Sequence, residues 1–164
     1  MAPGLATSLS APAVALVGAA AGLLATLVMD IPMRALLREG MTPPSVAAGA
    51  LTGTSTADAP RRVAMAAHYG AGTGGGLTFT ALTALAAAAA PGPTVAGVPV
   101  LALAVAAVVE FGVLFAFFAY VVLPRYGTVD SRRVPTVRRA WALSAAVYTF
   151  SVAALLPALL WVVG

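Results

Sequence analysis

Long apolar stretches alternate with short polar segments along this chain, and each stretch is long enough to cross a membrane as a helix. The pattern predicts helices over residues 11–31, 62–90, 98–123 and 140–163. Charged residues are rare inside the stretches and collect between them. We therefore expect an all-α polytopic membrane protein, with four transmembrane helices in an antiparallel bundle and a single transmembrane domain over residues 1–164.

The segment between the first two predicted helices has apolar and basic residues on opposite helical faces, which is typical of a short interfacial helix. Asp30 and Pro32 mark the end of the first span, and Gly40 stops the interfacial helix. Thr42 is expected to cap a second short helix, with Pro43 in its first position. The two faces consist of Met33, Leu36 and Leu37 on one side and Arg34 and Arg38 on the other.

Glycines are concentrated in the first two predicted spans. Gly18 and Gly22 form a GxxxG pattern in the first, and the second contains a glycine run over residues 70–76. Small residues at such spacing let helix backbones approach closely in a membrane. Counted at about 1.5 Å per residue from the cytoplasmic ends, the two sets of glycines lie at overlapping depths. We therefore predict a close contact between these two helices.

Composition narrows the classes of function. Hydrophobic residues make up 61% of the chain and charged residues 9%, far from the balance of a soluble domain. The absence of cysteine excludes disulfides and thiolate chemistry. The net charge of +4 comes from arginines between helices, without a basic face interleaved with aromatics, so nucleic-acid binding is not expected.

The arginines predict the orientation in the membrane. The segments between helices 1 and 2 and between helices 3 and 4 contain all nine arginines, whereas the tails and the remaining link contain none. The positive-inside rule then places the arginine segments in the cytoplasm and both termini outside, in a multi-pass protein of the plasma membrane. The first apolar block lacks a preceding basic region and is expected to remain as a permanent helix. Anionic lipid headgroups are expected partners of Arg125, Arg132, Arg133, Arg138 and Arg139.

Glu110 is the one ionisable residue in the third predicted helix, near its midpoint. A carboxyl at that depth is costly to charge, which suggests a proton or cation site. Tyr148 and Thr149 lie at similar depth on the fourth helix and complete this candidate site. Two other interpretations stay open: a protonated carboxyl that hydrogen-bonds Tyr148, Thr149 or a backbone carbonyl and joins helices, or a contact between subunits.

His68, Asp30 and Arg34 form a second group near the predicted cytoplasmic ends of the first two helices. His68 is about 12 Å shallower than Glu110 by helical rise, so a direct pair is not expected. His68 should instead meet Asp30, Arg34 or Thr26. The group is interpreted either as the cytoplasmic mouth of a pathway or as an interfacial histidine with an ion pair that anchors the helix end. One histidine and no cysteine make a metal site or a cofactor unexpected.

The segment Ala25-Thr26-Leu27-Val28-Met29-Asp30, followed by His68-Tyr69-Gly70-Ala71-Gly72, resembles a pattern in small four-helix membrane proteins of bacteria and archaea. The resemblance implies fold and location only.

Enzymatic activity is not expected, because the chain has no nucleophile–base pair, zinc-protease motif or dinucleotide fingerprint. The leading expectation is a membrane protein whose intramembrane polar residues serve structure or assembly. The alternative is a small proton- or cation-coupled transporter or channel subunit that titrates at Glu110. Four helices enclose little volume, so transport would require a homo-oligomer.

Overall fold

The computed structural model describes residues 9–89 and 92–164, which form helices, turns and one short hairpin. Residue 90, the predicted end of the second helix, lies outside the described residues. The strands β1 (Thr94–Val95) and β2 (Val98–Pro99) pair antiparallel between α3 and α4. The helices are α1 (Ala11–Ala35), α2 (Thr42–Thr52), α3 (Arg61–Ala89), α4 (Val100–Phe117), a π-helical turn (Phe118–Val122), α5 (Leu123–Tyr126) and α6 (Val134–Val163).

Three helices are long and apolar enough to cross a membrane: α1, the continuous helical stretch Val100–Tyr126, and α6. Their outward surfaces carry large apolar side chains, including Val108 at 72% and Phe150 at 75% exposure. Such surfaces suit a lipid solvent, so these helices fit a membrane protein. The remaining long helix, α3, has 29 residues but carries five glycines and four threonines, which lower its hydropathy.

The long helices surround a core of small and aliphatic side chains. α1 packs against α3 on one side and α6 on the other, and α4 packs against α3 and α6. Phe79, Val152 and Leu156 are almost fully enclosed at the centre. A second, smaller apolar cluster joins α2 to the π-helical turn, α5 and the start of α6.

Glycines bring α1 and α3 into backbone contact. A Cβ added at Gly22 would lie 2.7 Å from the Cα and N of Gly76, and one added at Gly76 would lie 2.6 Å from the same atoms of Gly22. A Cβ added at Gly72 would instead meet the side chain of Thr26. Gly70 and Gly74, by contrast, have open space where a side chain would project. The glycine run therefore includes positions that the contact requires and positions that it does not.

The first helix is longer than the sequence pattern predicts. Instead of stopping near Ile31, α1 continues to Ala35 with Pro32 inside it. The amides of Leu36 and Leu37 both donate to the carbonyl of Pro32, so the last turn stays hydrogen-bonded. The missing donor at Pro32 is tolerated because Met33 is buried and holds this turn against the core.

The predicted interfacial helix over residues 33–40 is not formed. Its first residues belong to α1, and residues 37–41 form turns, in which Gly40 lies against the backbone of Met33. The short helix of this region is α2, which begins at Thr42 and buries Pro44 and Val46 in the protein. Thr42 is its first helical residue and not its cap, because its hydroxyl donates to Glu39 Oε2 at 2.6 Å.

The bounds of the last two predicted helices also change. The third continues through Pro124 to Tyr126, and the fourth begins at Val134 instead of Ala140. These two extensions leave only residues 127–133 as the connection between the two helices. Pro135 occupies the first turn of its helix, where a proline removes no internal hydrogen bond. Pro124 lies inside the continuous helical stretch Val100–Tyr126.

The hairpin between α3 and α4 turns through Ala96 and Gly97, which have φ of 50° and 79°. Two successive positive φ values match a type I′ turn, where asparagine and glycine are favoured and a Cβ-bearing residue such as alanine is strained.

We expect Ala96→Asn to stabilise the protein by about 0.5–1 kcal/mol, because asparagine tolerates the left-handed region better than alanine. Denaturant-induced unfolding in detergent would measure the change. Ala96→Val should destabilise the protein, because a β-branched side chain is more strained than alanine at a positive φ. Equal or greater stability of the valine variant would contradict a strained turn.

Candidate functional site

Asp30 is the centre of a polar cluster where the last turns of α1 meet the first turns of α3. Its Oδ1 lies 2.8 Å from His68 Nε2, and its Oδ2 accepts a hydrogen bond from the Tyr69 hydroxyl at 2.7 Å. Arg34, one turn later on α1, donates to Oδ2 from Nε at 3.2 Å and from Nη2 at 2.9 Å. The carboxylate is therefore satisfied on both oxygens by three side chains.

The cluster forms where it does because the glycine contact sets the register of α1 against α3. Thr26 rests against Gly72, and one turn further along α1 Asp30 reaches His68, one turn earlier on α3. The prediction that His68 meets Asp30 is confirmed. The hydrogen bond from Tyr69 to Asp30 was not predicted, although the position of Tyr69 next to His68 in the sequence could have indicated it.

Exposure differs sharply within the cluster. The side chain of His68 is 5% exposed and that of Asp30 10%, whereas that of Arg34 is 40% exposed. Arg34 thus neutralises Asp30 from the solvent side, and His68 meets the carboxylate from the interior.

Glu110 is 3% exposed on α4, and neither of its carboxyl oxygens has a hydrogen-bond partner among residues 9–89 and 92–164. The carboxyl lies against α3 at Gly75, where an added Cβ would come within 3.1 Å of Oε1. The same point lies 2.5 Å from the Tyr148 hydroxyl oxygen. The absence of a side chain at Gly75 therefore makes room for both polar groups between α3, α4 and α6.

The hydroxyls expected to bond Glu110 are directed elsewhere. Tyr148 donates to the carbonyl of Gly72 at 2.7 Å, and Thr149 donates to the carbonyl of Ala145 on its own helix at 2.5 Å. The structure thus brings Tyr148 near Glu110 without a hydrogen bond and gives Thr149 no role there. Glu110 is also enclosed within one copy of the chain, which does not fit a contact between subunits.

A cavity of about 210 Å³ lies beside His68. His68 and Tyr148 both line it, together with residues of α2, α4, the π-helical turn and α6. Its wall is mostly apolar and aromatic, with Phe117 and Trp141 on one side and Pro44 on the other. Glu110 is not among the lining residues, so the Tyr148–Gly72 hydrogen bond separates the cavity from this carboxyl.

The π-helical turn that borders the cavity was not predicted from sequence. Pro124 has no amide hydrogen, so the carbonyl of Ala119, five residues earlier, loses its π-helical donor. Arg138 Nε supplies a donor to that carbonyl at 3.2 Å. Trp141 Nε1 donates to the carbonyl of Leu114 at 3.0 Å. Pro124 was visible in the sequence, but the compensating hydrogen bond from Arg138 on α6 could not be predicted from it.

The arginine-containing connections meet at one end of the molecule, here called the arginine end. Arg133 donates to both carboxylate oxygens of Glu39 at 2.9 Å, and these hydrogen bonds hold the pKa of Glu39 below its ordinary value. Thr56 and Thr128 exchange hydrogen bonds across the same end. The segments between α1 and α3 and between α5 and α6 are therefore tied together.

Within the residues that the structure describes, no group of three or more His, Asp or Glu side chains is placed to hold a metal ion. Comparison of the chain with known protein families, with curated proteins and with solved structures gives no match in any of the three. The geometry of the two polar groups and the cavity is therefore the basis for a functional proposal.

Proposed function

We propose that the chain is a multi-pass protein of the plasma membrane with four transmembrane helices. These are the three apolar helices described above and, in addition, α3. Its 29 residues correspond to about 44 Å of helix, more than the hydrocarbon thickness of a bilayer. The contact of α3 with the apolar helices α1 and α4 along its length supports this placement. The positive-inside rule, applied to the arginine end, puts that end in the cytoplasm and both termini outside.

We further propose that the protein is a small proton- or cation-coupled transporter or channel subunit, with Glu110 as the titrating group. One observation supports this activity more than any other: the Glu110 carboxyl is buried, and neither of its oxygens has a donor in the part of the chain that the structure describes. A carboxyl in such a place must be neutralised, either by its own proton or by a bound cation. A proton and a bound cation can each be released and replaced, and the transport of an ion requires such exchange.

A purely structural role for Glu110 has less support. A carboxyl that joins helices needs a hydrogen bond across them, and the nearest hydroxyl on α6, that of Tyr148, is engaged with Gly72. The structural role suits Asp30 better, since its carboxylate joins α1 to two side chains of α3. The second candidate function, an assembly or structural membrane protein without transport, is supported by that cluster.

Two further parts of the proposal concern partners. Arg132 and Arg139 lie exposed at the arginine end, where they suit anionic lipid headgroups, whereas Arg133 is engaged with Glu39. One copy encloses little volume around Glu110, so we propose that transport occurs in a homo-oligomer.

The test is ion flux into proteoliposomes of the purified chain, followed with a pH-sensitive dye under an imposed membrane potential. We expect Glu110→Gln to reduce proton flux at least about tenfold, because the amide keeps the size of the carboxyl but cannot release a proton. Replacing protons by sodium as the driving gradient distinguishes the two ions.

Asp58→Asn provides the matched control. It makes the same change of acid to amide at an exposed residue, whose carboxylate accepts a hydrogen bond from the Ser55 hydroxyl. Its flux should equal that of the unmodified chain. Flux that survives Glu110→Gln in a folded, reconstituted protein would overturn the transport proposal and leave the structural one.

A further inference from the structure

The cavity beside His68 has the properties of a binding site that is separate from Glu110. It is bounded by apolar and aromatic side chains, among them Met29, Phe117 and Trp141. A space of about 210 Å³ accommodates a molecule of roughly one substituted ring. The apolar walls disfavour a charged occupant, because nothing there would replace its hydration.

Most polar groups of the cavity wall are already committed. The Trp141 indole donates to the carbonyl of Leu114, and the Tyr148 hydroxyl donates to the carbonyl of Gly72. His68 uses one ring nitrogen, Nε2, to meet Asp30. Its other nitrogen, Nδ1, has no hydrogen bond to any residue that the structure describes.

Nδ1 of His68 is not completely buried. The fully buried side-chain atoms without a partner in the described residues are the two oxygens of Glu110. Nδ1 is therefore not sealed by protein atoms, although the His68 side chain as a whole is only 5% exposed. His68 lines the cavity, and because Nε2 is directed at Asp30, Nδ1 is the ring nitrogen left to face the cavity.

Asp30 determines which hydrogen-bonding role Nδ1 plays. A carboxylate only accepts, so Nε2 must carry the proton of the imidazole ring. In the tautomer that carries its one proton on Nε2, the ring presents the Nδ1 lone pair, and the occupant must supply a hydrogen-bond donor.

We propose that this cavity binds a small uncharged aromatic molecule with one hydroxyl group, of the phenol class, which donates its hydroxyl hydrogen to His68 Nδ1. The ring lies against the aromatic wall, and Asp30 acts as a positioning residue for the histidine. The site is distinct from Glu110 and does not rest on the proposed transport activity.

The test uses Trp141 as the reporter of the cavity. The chain has two tryptophans, and Trp161→Phe removes the other, which is 62% exposed. The full chain in detergent is titrated with 4-bromophenol, whose bromine quenches a tryptophan that it contacts, and with 4-bromoanisole, in which a methyl group replaces the hydroxyl hydrogen. We expect saturable quenching, with half-saturation at about tenfold lower concentration of 4-bromophenol, as one hydrogen bond provides.

Two variants locate the site. His68→Phe keeps a ring but removes both nitrogens, and the two probes should then bind with equal strength. Ala67→Leu adds side-chain volume at the cavity wall without touching Asp30, and both probes should lose saturable binding. The proposal is overturned if the unmodified chain binds both probes equally, if His68→Phe retains the preference for the phenol, or if Ala67→Leu leaves binding unchanged. The first comparison needs no variant and stands even if both substitutions impair folding.

Discussion

Gly76→Ala is expected to destabilise the protein by about 2–4 kcal/mol, although alanine is the better helix former. The added Cβ would lie 2.6 Å from the Cα and N of Gly22 and would also meet the carbonyl of Gly18. All of these are backbone atoms, so no side chain can rotate away. α1 and α3 must separate, and the packing around Thr26 and Gly72 loosens with them.

Gly74→Ala is the matched control for this substitution. Gly74 is two residues away on the same helix, and a Cβ added there has nothing within 4 Å. The same chemical change should therefore stabilise the protein by up to about 1 kcal/mol through helix propensity. Unfolding of both variants by titration with denaturing detergent, followed by circular dichroism, would measure the two signs. If Gly76→Ala were as stable as Gly74→Ala, the close approach of α1 and α3 would be wrong.

The sequence contains enough to predict where these two helices approach. The spacing of Gly18 and Gly22, counted against the glycine run of the next helix, places both at one depth. Which glycines of the run face α1 depends on the rotation of α3, and periodicity does not determine it when most neighbours are alanine, glycine or threonine. Gly70 and Gly74 resemble Gly72 and Gly76 in sequence but face open space.

The meeting of His68 with Asp30 could also be predicted, because both lie near the ends of their helices at the arginine end. The length of α1 could not be predicted. Pro32 normally ends a helix, and its tolerance here depends on the burial of Met33, a tertiary effect. The π-helical turn likewise depends on Arg138, which lies on another helix and donates to the carbonyl of Ala119 in the turn.

The surroundings of Glu110 were predicted by depth alone, and depth was insufficient. Tyr148 is close to the carboxyl, but its hydroxyl reaches past it to the carbonyl of Gly72, which lacks a covering side chain. Hydroxyls inside an apolar helix readily bond to the carbonyl one turn back, and Thr149 and Ser144 both do so. Within the described part of the chain, Glu110 therefore has no donor, because the hydroxyls of Tyr148 and Thr149 donate to backbone carbonyls instead.

Asp30→Ala is the second substitution with a large expected effect, a loss of about 2–4 kcal/mol in the free energy of unfolding. Asp30 is the shared acceptor of His68 and Tyr69, so its removal leaves a buried imidazole N–H and a half-buried hydroxyl without partners. Because both donors belong to α3, the substitution also removes the polar connection between α1 and α3. Detergent-titration unfolding would measure the loss.

Arg34→Ala separates this internal connection from the ion pair. The Arg34 side chain is 40% exposed, so solvent screens its pairing with Asp30 and its removal should change stability by less than about 1 kcal/mol. A double-mutant cycle of Asp30→Ala with His68→Phe should show coupling, since each substitution removes the same hydrogen bond. If Arg34→Ala were as damaging as Asp30→Ala, the cluster would be held together mainly by the ion pair at its surface. A large coupling between Asp30 and His68, with a small effect of Arg34, would instead mean that the carboxylate is positioned to hold the imidazole from inside the protein.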